Sequence, residues 1–304
     1  MQTQILILGS GPAGCTAGFY AADAGFQTII LMGICPGGQL ILTDEINNFP
    51  AQSGISGLDL SDKLIEQAQR AGARLLYEQA EEVYFDHTPF RVRTNTGLNL
   101  SADSLIIATG ASAKWLGIEG ENRLIGHGVS VCATCDGPLF KGKEVAVIGG
   151  GNSAVYEALF LSKICAKVYL IHTEKEVQAD HTLIQKMKGK PNIKQLPTTE
   201  VLAFEGDKKI AGIIIKNRQT NLVTKLPISG VFEAIGRIPN TQLFQKKLDL
   251  TAKGYIITHP DTLETSIKGV FACGDAQEQS YRQAVIAAAA GCRAALSAKH
   301  FLVG

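Results

Sequence analysis

The residues best suited to chemistry are Cys132 and Cys135, in the run Cys132-Ala133-Thr134-Cys135-Asp136-Gly137. Two thiols stand two residues apart, small residues separate them, and a carboxylate follows at once. Such a pair closes a small disulfide ring at modest strain. It is equally half of a zinc site, which would need two more ligands at matching spacing. Cys15, Cys35, Cys165, Cys273 and Cys292 stand singly, so the chain has no second CxxC. That favours a redox dithiol over a structural metal half-site. A dithiol exchanges electrons with a partner disulfide through a mixed disulfide, and its working form is the thiolate. The departing thiolate needs a proton, which a neighbouring carboxyl such as Asp136 can relay. The isolated Cys15, Cys165, Cys273 and Cys292 adjoin apolar helix or strand positions and read as packing; Cys35 lies in a loop.

Two glycine-rich turns flank this dithiol. Ile5-Leu6-Ile7-Leu8 reads as a buried strand that feeds Gly9-Ser10-Gly11-Pro12-Ala13-Gly14, followed by a helical pattern from Cys15 to Ala24. In that context GxGxxG is a dinucleotide turn. The first glycine allows the tight bend, the second admits a pyrophosphate, and the third lets helix and strand approach closely. The second strand, Thr28–Met32, runs into Gly33 without the acid that would hold a ribose diol, so NAD is poorly served here. The second turn, Gly149-Gly150-Gly151-Asn152-Ser153-Ala154, begins fourteen residues after Cys135. It joins the strand Glu144–Ile148 to a helix over Ala154–Ser162, with Lys167–Ile171 as the next strand. Alanine in the third glycine place still permits close packing.

The remaining pattern completes these two sheets. Leu58–Ala71 is an amphipathic helix ended by Gly72, Leu75–Arg93 holds short strands, and Leu105–Ile107 is a buried strand ending near Thr109-Gly110. Residues 111–120 read as a linker with Trp115 as an apolar anchor. Ile193–Leu226 reads as a strand and hairpins, and Gly230–Ile235 as a buried strand before a turn at Gly236–Asn240. Val270–Ala272 leads to Gly274-Asp275, and a long small-residue helix spans Gln283–Ala298.

With 304 residues the chain is long enough for two domains. A formal net charge of +1 gives no general basic surface for nucleic acid. No charged leader with an apolar core precedes the first strand, which argues against a signal peptide. The apolar stretch Ala284–Cys292 is too short to span a bilayer. Seven mostly scattered cysteines suit a reducing compartment, so the expected address is cytoplasmic.

Together, Gly9–Gly14, Gly37–Leu40, Asn48–Pro50, Ala108–Gly110, Cys132–Gly137, Gly149–Ala154, Gly236–Asn240, Gly274-Asp275 and Tyr281–Ala284 give the chain its resemblance to the low-molecular-weight thioredoxin reductases. The resemblance implies an α/β fold of two Rossmann-like three-layer ββα domains, the second inserted in the first. The FAD domain would comprise residues 1–114 and 241–304, and the nucleotide-binding-like domain 115–240. It implies that Gly9, Gly11 and Gly14, with Pro12 and Ala13 between them, hold the FAD pyrophosphate. Gln39, Asn48, Thr109 and Gly110 would lie near the ribityl and ring portions. Asp275 would take a sugar or ribityl hydroxyl, and Gln283 and Ala284 would meet the isoalloxazine edge. Cys135 would face the flavin, Cys132 would attack thioredoxin, and Asp136 would move the proton. A homodimer whose inner domain rotates is also implied.

Two departures from that pattern bear on the electron donor. Members that use NADPH carry His-Arg-Arg and a further arginine; this chain has His172-Thr173-Glu174 and then Gln178. Where the family usually has two glutamates, it has Tyr156 and Glu157. The expected donor is therefore not NADPH. Reduced ferredoxin comes first, with Lys186, Lys188 and Lys190 as candidate docking charges, and NADH is close behind, with Glu174 placed for its free diol. The competing readings are a flavin-dependent dithiol oxidase and a non-enzymatic redox-sensing flavoprotein.

Overall fold

The computed structural model describes every residue of the chain except Asp44. Two compact units emerge. The first comprises Met1–Ile41, Ile46–Ser112 and Ile238–Gly304, and the second Leu42–Glu45 with Ala113–Arg237. The chain thus leaves the first unit at residue 112 and returns at 238. Ile238, Pro239 and Asn240 belong to the first unit, not to the inserted one as expected. Asn240 explains why: its N–H donates to Gly110 O (2.9 Å) and its Nδ2 to Thr109 O (2.9 Å).

The first unit is built on a parallel sheet in the order Arg74–Leu76, Thr28–Leu31, Gln2–Leu8, Asn99–Ile107. Leu105, Ile106 and Ile107 are fully buried, as suits a strand covered on both faces. The long strand Asn99–Ile107 has two partners on its far side. Its opening half pairs antiparallel with Phe90–Thr94, which continues to Ala80–Tyr84. Its closing half pairs parallel with Val270–Ala272. One face of the sheet carries the helices Pro12–Asp23 and Ala284–Val303, which approach closely because small residues line both. A Cβ added to Gly291 would lie 2.1 Å from Ala13 O; Gly18 instead lets the first helix approach the sheet, its Cβ position lying 2.3 Å from Ile30 Cδ1. Helix Gly57–Arg70 starts at Ser56, whose hydroxyl accepts from Asp59 N at 3.0 Å.

The second unit repeats the plan. Its parallel sheet runs Ile193–Leu196, Lys167–Ile171, Glu144–Ile148, Gly230–Glu233, Val129–Ser130. Helices Asn152–Leu161 and His181–Lys188 accompany it, with an antiparallel sheet of Thr199–Glu205, Gly212–Asn217 and Val223–Pro227. Each unit therefore has the expected three layers of helix, parallel sheet and antiparallel sheet. Two segments differ from expectation. The 111–120 linker opens with a strand, Ala111–Ala113, and the Gly236–Asn240 turn contains another, Arg237–Pro239; these two pair with each other. Both are too short for the period-two pattern to show in sequence. Among the described residues no helix is long and apolar enough to cross a membrane.

Candidate active site

In the first unit, strand Gln2–Leu8 turns sharply at Gly9, whose φ of 110° favours glycine. A Cβ at Gly9 would meet Ala108 O at 2.4 Å, and one at Gly14 would meet Gly9 O at 1.9 Å. Gly11 is different. The nearest atom to its Cβ position is Gly37 O, 4.0 Å away, so the turn leaves space above the second glycine. Helix Pro12–Asp23 opens directly onto that space with no side-chain cap and no acid in its first turn. An uncapped helix start offers N–H groups and partial positive charge to an anion. Ser10 ties the neighbouring loops together. Its Oγ donates to Met32 O (2.7 Å) and accepts from Gly37 N (3.2 Å).

The other predicted cofactor residues of this unit come from segments remote in sequence. Asn48 and Gln283, 235 residues apart in sequence, meet: Asn48 Nδ2 donates to Gln283 Oε1 at 3.0 Å. Gln283 precedes helix Ala284–Val303 without capping it. Gln39 is exposed on the short turn Gly38–Leu42. Asp275 is half-buried in the turn Gly274–Ala276, where a Cβ at Gly274 would lie 2.8 Å from Ala13 Cβ. Thr109 already spends its proton inside the fold, since its Oγ1 donates to Asn240 O at 2.7 Å. Arg282 carries no functional signal in sequence. Its terminal nitrogen donates to Tyr255 Oη (2.9 Å), while its Nε is buried with no partner. An orphaned guanidinium N–H beside Gln283 suits a ligand carrying ring oxygens, and only the fold reveals that it is orphaned. The open cradle, the uncapped helix and this donor together fit FAD.

In the second unit Cys132 and Cys135 form a disulfide with Cα atoms 5.3 Å apart. Both are half-buried, within reach of a partner. Cys132 precedes the helical turn Ala133–Asp136, and the Cys135 and Asp136 amides donate back to Cys132 O at 3.2 and 3.1 Å. Asp136 is tied to the dithiol through Ser130. The Ser130 hydroxyl donates to Asp136 Oδ2 (2.5 Å) and accepts from Cys132 N (3.1 Å). Ser130 was not singled out from sequence, because a serine two residues before a CxxC has no meaning until the chain doubles back. Cys15, Cys165 and Cys273 are buried as expected, and Cys292 is half-buried. Burial pushes the Cys15 and Cys273 thiols up to about 12 and the Cys165 thiol up to about 11, far from a reactive thiolate. Cys35 is exposed.

The second glycine turn is also formed. Gly149 has φ 140°, and a Cβ there would lie 2.5 Å from Ala234 O. The segment after strand Lys167–Ile171 is pinned against it. Gln178 N donates to Gly150 O (2.7 Å), and Asn152 and Asp180 exchange bonds of 3.0 and 2.8 Å. His172 is buried beside Gly150 with neither ring nitrogen bonded, and burial lowers its pKa. Thr173, Glu174 and Gln178 are exposed, and Tyr156 is 61% exposed. Burial raises Glu157 to about 7, against the opposing pull of Arg237. Two further acids are buried nearby. Glu121 accepts from Leu116 N (2.8 Å) and Gly117 N (2.9 Å), and Glu233 accepts from Leu116 N (3.1 Å). Burial, then the charge of Glu121, push Glu233 up to about 9. Among the described residues no cluster of His, Cys, Asp or Glu is arranged to hold a metal ion.

The pyridine nucleotide-disulphide oxidoreductase family matches residues 3–291. A thioredoxin reductase of Rickettsia conorii is 42% identical over 99% of both chains. The chain belongs to the thioredoxin reductase family. It is accordingly an FAD-dependent disulfide oxidoreductase. The solved structure of a thioredoxin reductase from Giardia duodenalis superposes with a TM-score of 0.93 at 36% identity, covering 100% of this chain and 99% of that one. A more distant family member, a ferredoxin-flavin thioredoxin reductase from Clostridium acetobutylicum, gives 0.53 at 27% identity over 100% and 98%.

Proposed function

We propose that this enzyme reduces the disulfide of thioredoxin through Cys132 and Cys135. The observation that carries this is the Cys132–Cys135 disulfide with Asp136 held beside it by Ser130. FAD, when bound, supplies the electron pair that opens that disulfide. Two protons complete the reduction to the dithiol, and Asp136 is placed to hand one to the sulfur that leaves. The Cys132 thiolate attacks one sulfur of the oxidised partner, forming a mixed disulfide and releasing the partner's other thiolate. Cys135 then attacks Cys132, which frees the second partner thiolate and restores the Cys132–Cys135 bond. Gly9, Gly11, Pro12, Ala13 and Gly14 hold the cofactor pyrophosphate in this reading. Gln39, Asn48, Thr109, Gly110, Asp275, Gln283 and Ala284 line its sugar, ribityl and ring portions. The enzyme works as a homodimer in the cytoplasm; sedimentation at micromolar concentration that gave only a 32 kDa species would contradict the dimer.

The electron donor follows from the second glycine turn. A 2′-phosphate calls for a bidentate cation, and Thr173, Glu174 and Gln178 supply none. Each missing charge-assisted contact costs about 1.5–3 kcal/mol, and Glu174 adds repulsion. NADPH is therefore a poor donor. Reduced ferredoxin is the favoured donor, supported by the ferredoxin-flavin relative and by Tyr156, a bulkier side chain where the family resemblance expects a glutamate. NADH is the second reading, supported by the intact Gly149 turn and by Glu174 as a partner for its free diol. Anaerobic stopped-flow bleaching of the flavin by NADPH, NADH and reduced ferredoxin in parallel decides between them. Fast bleaching by NADH displaces ferredoxin, and fast bleaching by micromolar NADPH refutes the charge argument. The thioredoxin reading itself is tested by mixing photoreduced enzyme with oxidised thioredoxin. Oxygen-dependent turnover of a small dithiol with thioredoxin inert would select the oxidase instead.

A further inference from the structure

The amino-terminal edge of the inserted unit's parallel sheet gathers three segments that are remote in sequence. Gly142 N donates to Ile164 O (2.8 Å), Ala166 N to Lys143 O (2.9 Å), and Val168 N to Asn192 O (2.9 Å). The Asn192 side chain closes the group by donating to Ser162 O (2.8 Å) and Cys165 O (3.2 Å). Each segment brings exposed lysines: Lys141 and Lys143 from the first, Lys163 from the second, and Lys188, Lys190 and Lys194 from the third. None of these six forms an ion pair among the described residues. The acid at this edge is Glu144, which accepts the Tyr169 hydroxyl at 2.9 Å. Lysines at helix C-termini do offset the helix dipole, and Lys188 and Lys163 sit at such ends. That accounts neither for Lys141 and Lys143, which precede a strand, nor for Lys194 within one.

A short helical run joins the dithiol, which follows the carboxyl end of strand Val129–Ser130, to this amino-terminal edge. Asp136 runs into the short turn Gly137–Phe140, and a Cβ at Gly137 would meet Leu161, Phe160 and Ile164, next to Lys163. Pro138 and Leu139 are exposed on that turn, Leu139 at 46%, and Lys141 follows directly. A large partner whose sulfur reaches Cys132 must cover the ground around this turn, so it meets an apolar tip bordered by uncompensated positive charge.

We propose that this lysine edge is the electrostatic docking surface for the disulfide-bearing protein substrate, whose face around its own disulfide is acidic. The proposal rests on thioredoxin being the substrate and adds what kind of thioredoxin surface the enzyme selects. Charge complementarity of this sort acts chiefly on the rate of encounter and is screened by salt. Lysines far from the reacting sulfurs leave the chemistry of a small disulfide untouched.

The test uses the flavin-loaded enzyme, photoreduced, and compares wild type with Lys141→Glu/Lys143→Glu/Lys163→Glu. The substrates are the thioredoxin encoded in the same genome, a version of it with the acids around its disulfide converted to amides, and 5,5′-dithiobis(2-nitrobenzoate). The wild type should lose about 10-fold in its second-order rate constant with thioredoxin between low and high salt. The triple variant should start about 10-fold lower at low salt and show a flat salt profile. The amidated thioredoxin should show the same loss with the wild type. Reduction of the small disulfide should be equal in both enzymes, which also verifies folding. A variant as fast as wild type on thioredoxin at low salt overturns the docking proposal alone. So does a variant impaired only in flavin reduction by reduced ferredoxin, because the edge would then serve the donor. A wild type that reduces the small disulfide but no thioredoxin overturns the functional reading, and the docking proposal with it.

Discussion

Replacing Glu233 by glutamine should stabilise the enzyme, and increasingly so as the pH rises. Glu233 ends strand Gly230–Glu233 and is 3% exposed, while its neighbour Glu121 is 2% exposed. Both carboxyls converge on Leu116 N. The Oε1 atom of Glu233 is buried with no donor aimed at it, so one proton on this carboxyl can bridge the pair. Burial and the Glu121 charge raise the folded-state pKa to about 9, against an ordinary value of 4.5. A raised folded pKa means that the proton-linked stability is fully present below the ordinary value and is lost as the pH climbs to the folded one. At pH 7 the folded chain holds a proton that the unfolded chain has released. At about 1.4 kcal/mol per pH unit this costs about 3 kcal/mol, and structural relaxation brings it to about 1–3 kcal/mol. Glutamine keeps both contacts, since its N–H can donate to Glu121 and its oxygen can accept from Leu116, and it has no proton to lose. Urea unfolding of the holoprotein at pH 5.5 and 8.5 provides the assay. Wild type should lose about 2–4 kcal/mol more than E233Q across that interval. Equal pH slopes for the two proteins would refute a shared proton at this pair.

The remaining predictions concern the reactive residues and the two turns. Gly11→Val should fold with nearly unchanged secondary structure yet purify colourless, because only the ligand would meet the new side chain; Gly14→Ala should instead yield little soluble protein, its Cβ lying 1.9 Å from Gly9 O. Cys135→Ser should trap thioredoxin as a mixed disulfide on Cys132, visible as a reducible adduct by intact mass, and an adduct on Cys135 of Cys132→Ser with none in Cys135→Ser would reverse the assignment. Asp136→Asn should slow dithiol formation by about 100- to 10,000-fold in single turnover while flavin binding is retained; an unchanged rate would remove Asp136 from proton transfer. Thr173→Arg/Glu174→Arg should bind NADPH at least about 10-fold more tightly than wild type in flavin-bleaching titrations, whereas equal affinity would show that the site rejects the nucleotide for another reason.

The sequence carried the parts of this enzyme that depend on local rules. Gly9 and Gly14 were legible because a sharp turn and a tight helix–strand contact each require glycine at a fixed offset from a buried strand. Cys132 and Cys135 were legible because their spacing alone permits a disulfide. What escaped depends on long-range return of the chain. Ser130 matters only because Asp136 comes back to it, and Arg282 only because its Nε is buried without a partner. Glu121 and Glu233 carry no signal in sequence; they matter because both lie at the Leu116 amide, 117 residues from Glu233. Thr109 shows the opposite case, a position assigned to the cofactor by resemblance whose hydroxyl the fold uses to hold Asn240.

The pairing of Val270–Ala272 with Leu105–Ile107 sets an order of events during synthesis. The first unit cannot finish its sheet, or set helix Ala284–Val303 against Pro12–Asp23, until residues beyond 270 have left the ribosome. Residues 113–237 by then form a continuous stretch with its own sheets and cores. The inserted unit is thus expected to mature first, while the halves of its host wait as an unfinished sheet with an open parallel edge. Nascent chains arrested near residue 280, with the inserted unit through Arg237 outside the exit tunnel and Val270–Ala272 still within it, should therefore yield a protease-resistant fragment from the inserted unit alone. The vulnerable species in the cell is a dithiol module tethered to a flavin fold that does not yet exist, and its lifetime is set by how soon the segment beyond residue 270 emerges.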